Sequence, residues 1–149
     1  MGKDEPSYDH TQFGTVIIVA FCIVLAGTML ILAAMPEGSS RAPLFFTAGT
    51  LAALWLLFGW LRVYITDRTL VVSFGVGLVK RRIPLDSIAE SEVVRNKWWW
   101  GFGMRSTSTG WMYNVSGLDA VLLHLDDDKT FRVGTDDADG LAKALQQDE

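Results

Sequence analysis

The side chains that could carry chemistry are few and widely separated in this chain. It has two histidines, His10 and His124, and a single cysteine, Cys22. Catalytic and metal sites need clusters of such groups, whereas a lone histidine in a strand is more often structural. The sequence contains no spacing typical of a zinc site, a phosphate-binding loop, a dinucleotide-binding loop or a nucleophile elbow. It therefore predicts no enzyme, no metal site and no cofactor.

The acidic residues predict solvated structure rather than a ligand site. The run Asp126, Asp127 and Asp128 lacks the alternating ligands and the later glutamate of a calcium loop, so it is interpreted as an exposed turn. The chain has a formal net charge of −4, and residues 106–149 hold nine acids against three basic residues. Because nucleic-acid binding needs a basic surface, the sequence predicts no nucleic-acid partner.

A tryptophan-rich segment at residues 95–103 is the strongest candidate for a contact surface. A strand would bury alternate tryptophans at most, so at least one ring should be exposed. Tryptophan favours the bilayer interface, and each neighbouring basic residue is attracted to anionic lipid by about 1 kcal/mol. The segment predicts contact with the membrane or with a protein partner; alternatively, its rings cover an open end of the β domain or pack on membrane helices. The residues concerned are Arg95, Lys97, Trp98, Trp99, Trp100 and Phe102.

The basic triplet Lys80, Arg81 and Arg82 is the second candidate contact surface. Residues 62–105 contain eight lysines and arginines against four acids, so this half of the domain is basic. Near a bilayer the triplet would attract anionic headgroups, whereas elsewhere it would be an ordinary solvated strand end.

Two long uncharged runs must position these residues. Residues 13–35 form 23 consecutive positions without a formal charge, and residues 42–61 form a second such run. A helix of the first length is about 34 Å long, enough to cross a hydrocarbon core of about 30 Å. Residues 36–41 between them contain proline, glycine, two serines and two charges, which favour a turn outside the lipid. The pattern predicts a two-helix transmembrane hairpin over residues 13–61.

The flanking charges predict how this hairpin is oriented. Basic residues are retained on the cytoplasmic side, and most of those near the spans follow the second run, beginning with Arg62 and Arg68. We therefore expect a multi-pass protein of the cell (inner) membrane with both termini cytoplasmic. Residues 1–12 are polar and are predicted to be a disordered tail. A cleaved secretory signal does not fit, because the start is acidic and the apolar run is too long.

Small and aromatic residues predict how the hairpin packs and where it ends. Gly49 and Ala53 lie four apart, so they are expected to form a ridge that approaches Gly27 of the first helix; the alternative is a dimerisation face. Aromatic and basic side chains expected to anchor the exit from the second helix at the headgroups are Trp60, Arg62 and Tyr64.

After residue 61 the apolar pattern changes to a period of two, which indicates half-buried strands. Eight strand candidates lie between residues 62 and 133, and one of them, near Gly103 or Trp111, is expected to be irregular. A final helix is predicted at about residues 136–147, with an acidic first turn and an apolar face of Ala138, Leu141, Ala142 and Leu145. Residues 62–149 are therefore expected to form one small, mainly-β domain.

Two short stretches of this domain resemble a known family. Residues 64–72 contain a Thr66-Asp67-Arg68 turn between strands, and after Gly75 residues 82–88 contain an Ile-Pro-Leu-Asp element. In this the chain is similar to bacterial pleckstrin-homology-like (PH-like) domain proteins, which often carry two N-terminal transmembrane helices. The resemblance implies a partly open antiparallel barrel of about seven strands with a C-terminal helix.

The resemblance also implies binding of lipids, peptides or proteins rather than catalysis. Phosphoinositide-binding domains of this shape have a long basic first loop, whereas the Thr66–Arg68 turn is short, so specific inositol-phosphate recognition is not expected. The favoured function is a membrane-tethered, non-catalytic binding module that contacts a protein partner or the anionic inner leaflet. The alternative is an accessory or scaffold subunit of a larger integral membrane complex.

Overall fold

The computed structural model describes residues 6–107 and 110–147. Over these ranges the chain forms three α-helices, α1 (Thr15–Ala34), α2 (Ala42–Phe58) and α3 (Ala138–Gln147). It also forms nine strands: β1 (Tyr8–Phe13), β2 (Trp60–Thr66), β3 (Thr69–Phe74), β4 (Val79–Pro84), β5 (Ile88–Arg95), β6 (Gly103–Thr107), β7 (Gly110–Asn114), β8 (Asp119–Leu125) and β9 (Thr130–Gly134). Short 3-10 turns occur at Leu85–Ser87 and Trp98–Trp100.

The strands form two sheets that enclose one core. The first sheet has the order β1-β2-β3-β4 and is antiparallel throughout, while the second has the order β5-β8-β9-β7-β6. Strands β7 and β9 are parallel, so the expected all-antiparallel arrangement is wrong at this pair. The described strands do not join into one closed barrel. A mainly-β domain with a C-terminal helix is confirmed.

Both sheets and the last helix contribute to the core, because their apolar residues alternate along the strands and share one face of the helix. In β2, Leu61, Val63 and Ile65 point inward, and the intervening side chains point outward. The helix α3 buries Ala138, Leu141 and Leu145, spaced as one helical face, against β5 and β8. Its first turn is capped by Asp137, whose carboxylate accepts a hydrogen bond from the Gly140 amide at 3.2 Å.

Both of the doubtful strand candidates are regular. Residues near Gly103 and Trp111 form β6 and β7, which pair with each other over five residue pairs. The expected irregularity near one of them is therefore wrong. Residues 108 and 109, between these strands, lie outside the described residues.

The N-terminal segment differs from the predicted disordered tail. Residues 8–13 form strand β1, which pairs with β2 from Tyr8↔Ile65 to Phe13↔Trp60. The Gln12 side chain donates a hydrogen bond to the Ser116 carbonyl at 2.9 Å, and the Tyr8 hydroxyl donates one to the Asp137 carboxylate at 3.1 Å. Burial, together with this carboxylate, raises the pKa of Tyr8 well above its usual range. Residues 1–5 lie outside the described residues.

The two apolar runs form α1 and α2 with different lengths. Within the described residues, α1 is the one helix long and apolar enough to cross a membrane, with a mean hydropathy of 3.0. Only 6% of that apolar stretch is buried, so α1 is not a core helix of the β domain. The second helix has 17 residues and ends at Phe58, because Trp60 and Leu61 belong to β2. The β domain therefore begins at Trp60, two residues before the predicted boundary at residue 62.

The expected glycine contact between the helices does not form. A Cβ atom placed on Gly27 or on Gly49 would meet no atom within 4 Å. Instead, the helices meet through larger side chains near the β domain, where the rings of Phe21 and Trp55 lie 6.3 Å apart. The prediction of a close approach at Gly49 and Gly27 is wrong, since bulky aromatic side chains hold the helices apart.

The helices join the β domain at one end, which we call the tether end. Here the Gly14 amide donates a hydrogen bond to the Gly59 carbonyl at 2.8 Å, so the start of α1 and the end of α2 lie side by side. The turn from β3 to β4 also reaches this end, because the Val76 amide donates a hydrogen bond to the Leu56 carbonyl of α2 at 3.1 Å. The opposite end, with the turns at residues 66–69 and 125–130, is called the far end.

An aromatic series connects α2 with the core of the domain. Phe58 at the end of α2 packs edge-on against Phe74 of β3, with ring centroids 5.8 Å apart. Phe74 then contacts Tyr113 at 5.3 Å, and Tyr113 contacts Phe131 at 5.0 Å. The first ring belongs to a helix and the last two to the second sheet, so the series fixes the domain on the helices.

The junction predicts a large difference between two glycine substitutions. Gly75 and Gly103 both have a positive φ, at 47° and 99°, so alanine is strained at either position. A Cβ at Gly75 would lie 2.0 Å from the Leu56 carbonyl oxygen, whereas a Cβ at Gly103 would meet nothing within 4 Å. We expect Gly75→Ala to lower the free energy of unfolding by at least about 2 kcal/mol more than Gly103→Ala. Denaturant unfolding of the full chain in detergent micelles measures this, and equal losses would contradict the close contact.

Candidate functional site

Strand direction brings three connections to the tether end. They are the β3–β4 turn at residues 75–78, the β5–β6 loop at residues 96–102 and the β7–β8 turn at residues 115–118. The β7–β8 turn is fixed there by the hydrogen bond from Gln12 to Ser116. The β5–β6 loop lies beside this turn, because the backbone amide of Asn96 donates a hydrogen bond to the Leu118 carbonyl at 2.6 Å. The tryptophan-rich segment is therefore on the same side as the helices.

Large apolar side chains are exposed on these connections. Leu78 is 77% exposed and Trp98 is 75% exposed, although both are strongly hydrophobic. Exposed apolar groups that gather on one surface indicate a contact site. We call this set the apolar rim; its members are Phe13, Val76, Leu78, Trp98 and Trp99.

The tryptophan segment forms a tight turn that separates its three rings. The Trp100 amide donates a hydrogen bond to the Lys97 carbonyl at 3.0 Å, which closes the 3-10 turn. Trp98 and Trp99 pack edge to face at 5.9 Å and are both exposed, as the sequence predicts for at least one ring. The Lys97 ammonium lies over the Trp99 ring at 5.4 Å. A positive charge is thus held beside the exposed rings.

Trp100 has a different role because it folds back onto the second sheet. The Arg132 guanidinium lies over its ring, with the guanidinium carbon 4.9 Å from the ring centroid. Arg132 lies in register with Met112 and Leu122, and these two are buried on the face opposite the core. Burial lowers the pKa of Arg132, while the charge of Glu92 opposes this effect. Trp100 therefore packs on the outer face of the second sheet rather than over an open end of the β domain, while Trp98 and Trp99 remain exposed.

The remaining predicted residues of this segment lie around the turn. Arg95 and Lys97 are exposed at its start, and Phe102 is half-buried at its end. The structure therefore brings all six predicted residues of the segment to the tether end, with Trp100 turned toward the sheet.

The basic triplet on β4 is split between two faces. Lys80 and Arg82 are exposed on the outer face of the first sheet. Arg81 points between the sheets, where its guanidinium lies over the buried Phe131 ring at 5.0 Å. Since alternate residues of a strand face opposite sides, the three charges do not form one surface. The structure places Arg81 apart from the other two.

A groove on the outer face of the first sheet lies next to the tether end. Its volume is about 330 Å³, and its walls combine aromatic, basic and small residues: Trp60, Arg62, Tyr64, Ser73, Gly75, Val76, Gly77 and Lys80. The three predicted interfacial anchors are therefore in one place. Arg62 donates hydrogen bonds to both carboxylate oxygens of Asp9, at 2.9 Å and 2.5 Å, and lies 5.0 Å from the Tyr64 ring centroid.

The far end has the opposite chemical character. Its turns carry carboxylates, and the described ion pairs there join neighbouring turn residues: Arg68 pairs with Asp86 at 2.6 Å, and Lys129 pairs with Asp127. No large apolar side chain is exposed in these two described turns, although Trp111, which lies in β7 close to Thr130, is 45% exposed. The domain therefore has an apolar and basic end at the helices and a charged, acidic end away from them.

The histidines remain apart from each other. His10 lies 2.5 Å from the Asp136 carboxylate, and His124 lies in β8 opposite Glu90 and Thr130. In the described parts of the chain, no group of three or more His, Cys, Asp or Glu side chains could hold a metal ion. The absence of catalysis stays a prediction.

Three members of the apolar rim, Phe13, Val76 and Leu78, were not among the contact residues predicted from the sequence. Val76 and Leu78 alternate with Gly75 and Gly77. Turns usually carry polar residues, so two apolar residues in a glycine-containing turn could have indicated a contact surface. Their position beside α2 depends on the tertiary contact of Val76 with Leu56, which the sequence pattern does not show.

The two roles of the tryptophans predict different effects on stability. Trp100→Ala removes the ring that covers Arg132 and should lower the free energy of unfolding by about 2 kcal/mol. Trp98→Ala removes an exposed ring and should change it by no more than about 0.5 kcal/mol. Denaturant unfolding in detergent micelles compares the two variants. A larger loss for Trp98→Ala would contradict the assignment of Trp100 as the anchoring ring.

No protein-family model matches the chain, and no curated protein is significantly similar to it.

Proposed function

We propose that this chain is a membrane-tethered, non-catalytic binding module of the bacterial PH-like type, whose tether end contacts the anionic inner leaflet. One observation carries the proposal: the five most exposed large apolar side chains of the described β domain, those of the apolar rim, lie where the two helices leave it. A bilayer that contains those helices necessarily lies against this end. The same surface would be unfavourable in water.

The anchor in this proposal is the helical hairpin of α1 and α2, with both helices crossing the bilayer. The 17 residues of α2 give a helix of about 26 Å, which is near the lower limit for a span. Its sequence has no charged residue, and its end is level with the start of α1 through the Gly14–Gly59 hydrogen bond. An apolar helix held antiparallel to α1 in this way is most stable in the same lipid.

The apolar rim is suited to lipid rather than to one protein partner. Its members come from two connections on different sheets and from Phe13 at the start of the hairpin. A surface that is spread around the helices matches a plane, whereas a protein contact usually buries one compact patch. Arg95 and Lys97 beside the rings add about 1 kcal/mol of attraction to anionic lipid per charge. This chemistry favours the leaflet over a protein partner.

Site-specific fluorescence in the full chain tests the contact. The single cysteine is first removed by Cys22→Ser, and a polarity-sensitive fluorophore is attached after Trp99→Cys or after Asp127→Cys. In vesicles with anionic lipid, the label at 99 should emit at shorter wavelength and be quenched by brominated lipid. The label at 127, on the far end, should behave as in water. Equal aqueous exposure of both labels would contradict the proposal.

The same far-end cysteine reports the side of the membrane. Because basic residues follow the second helix, we propose that the β domain and both termini are cytoplasmic. An impermeant thiol reagent should then react with the Asp127→Cys variant only after the cells are permeabilised. Reaction in intact cells would place the domain outside.

A second candidate function, a subunit of a larger membrane complex, is favoured by the loose packing of the helices. Two apolar grooves run along the helix pair, with volumes of about 410 and 470 Å³, and Gly27 and Gly49 are not used between the helices. Such faces accept either lipid chains or a further helix. Purification in mild detergent separates the possibilities: a stoichiometric integral partner, lost on Gly49→Leu, would favour the subunit.

A further inference from the structure

The outer-face groove borders the apolar rim at Val76 but differs from it, because Arg62, Ser73 and Lys80 give it a polar, basic centre. Three strands supply it in register: Arg62 of β2 lies opposite Ser73 of β3, which lies opposite Lys80 of β4. Trp60 and Val76 form its side nearest the helices, and Tyr64 forms its other side. A volume of about 330 Å³ is within the range of pockets for small ligands.

The position of the groove matches the depth of lipid phosphates. Trp60 directly follows Gly59, the residue that caps α2, so it marks the end of the apolar helix. Arg62 is two residues farther along the strand, no more than roughly 7 Å away. The polar layer between hydrocarbon and water is about 5–7 Å thick on each side of a bilayer. When α2 lies in lipid, the row from Arg62 to Lys80 lies in that layer.

The charges of the groove favour an anion. Lys80 is exposed and makes no ion pair with any residue in the described ranges. The nearby acid, Asp9, is already bound by Arg62, which lowers the pKa of that carboxyl, and no acid lines the groove. The Ser73 side chain adds a hydroxyl donor between the two basic residues.

We infer that this groove binds the phosphate of one anionic phospholipid, with Lys80 as its main cationic contact, Ser73 as a donor and Trp60 against the glycerol and upper acyl region. The inference rests on the proposed membrane contact and adds to it a selective site. A phosphate there would be bound by an ammonium, a hydroxyl and the outer edge of the Arg62 guanidinium. The apolar Val76 beside the groove lies where the acyl chains of that lipid begin.

Native mass spectrometry of the full chain tests this site. Protein in detergent micelles receives equal amounts of phosphatidylglycerol and phosphatidylcholine, and the ratio of the two bound lipids is measured. The unchanged chain should prefer phosphatidylglycerol, and Lys80→Gln should reduce that preference roughly fivefold, as expected for one lipid-facing charge. Lys129→Gln at the far end is the matched control and should leave the ratio unchanged. Arg82 lies on the same face of β4, two residues farther from the helices, so Arg82→Gln should have a smaller effect than Lys80→Gln.

Each other outcome would overturn the inference. An equal ratio for the unchanged chain and Lys80→Gln would show that the groove does not select lipid. Displacement of the bound lipid by glycerol 3-phosphate at equal concentration would show a site for a soluble phosphate. The fluorophore at position 99 distinguishes the loss of this site from the loss of the membrane contact. If brominated lipid quenches that fluorophore while Lys80→Gln leaves the lipid ratio unchanged, the proposed function stands and the selective site does not.

Discussion

The pairing of β1 with β2 is the constraint on which the rest of the structure depends. These strands are the direct continuations of α1 and α2, and their last pair, Phe13↔Trp60, lies beside the Gly14–Gly59 hydrogen bond. The hairpin therefore leaves the domain through two hydrogen-bonded strands rather than through a flexible linker. Because the aromatic series from Phe58 to Phe131 adds a packed contact at the same place, the domain has little freedom to rotate on its anchor.

In the proposed membrane-bound state, this fixed attachment gives the two ends of the β domain different environments. The rings of Trp98 and Trp99 are unfavourable in water, but they are favourable at a bilayer interface. Trp100 keeps them in place because it is bound to the sheet through Arg132. The carboxylates of the far end, where they remain solvated, oppose any inverted docking on anionic lipid. The polarity of the domain and the direction of its anchor thus agree.

Local patterns predicted much of this fold, while long-range contacts explain the errors. The length of the uncharged runs indicated α1 and α2, and the period of two after position 61 indicated eight strands, since both are local signals. The strand Tyr8–Phe13 was missed because it is mostly polar and is ordered by β2. Composition predicted that at least one tryptophan ring is exposed, as Trp98 and Trp99 are, yet only the fold separates Trp100 from its neighbours. The inward position of Arg81 likewise depends on strand register, which charge counting ignores.

The order of β1 and β2 in the chain has a consequence for biosynthesis. A ribosome makes β1 before either helix, but its partner β2 emerges only after the entire hairpin. The first sheet therefore cannot close until both apolar segments have been synthesised. In the proposed topology, β1 must also remain unpaired on the cytoplasmic side while the two helices insert. If β1 were translocated with a misinserted α1, it would be separated from β2 by the lipid, and the first sheet would lose its edge strand. Correct insertion and completion of the sheet are thus coupled steps.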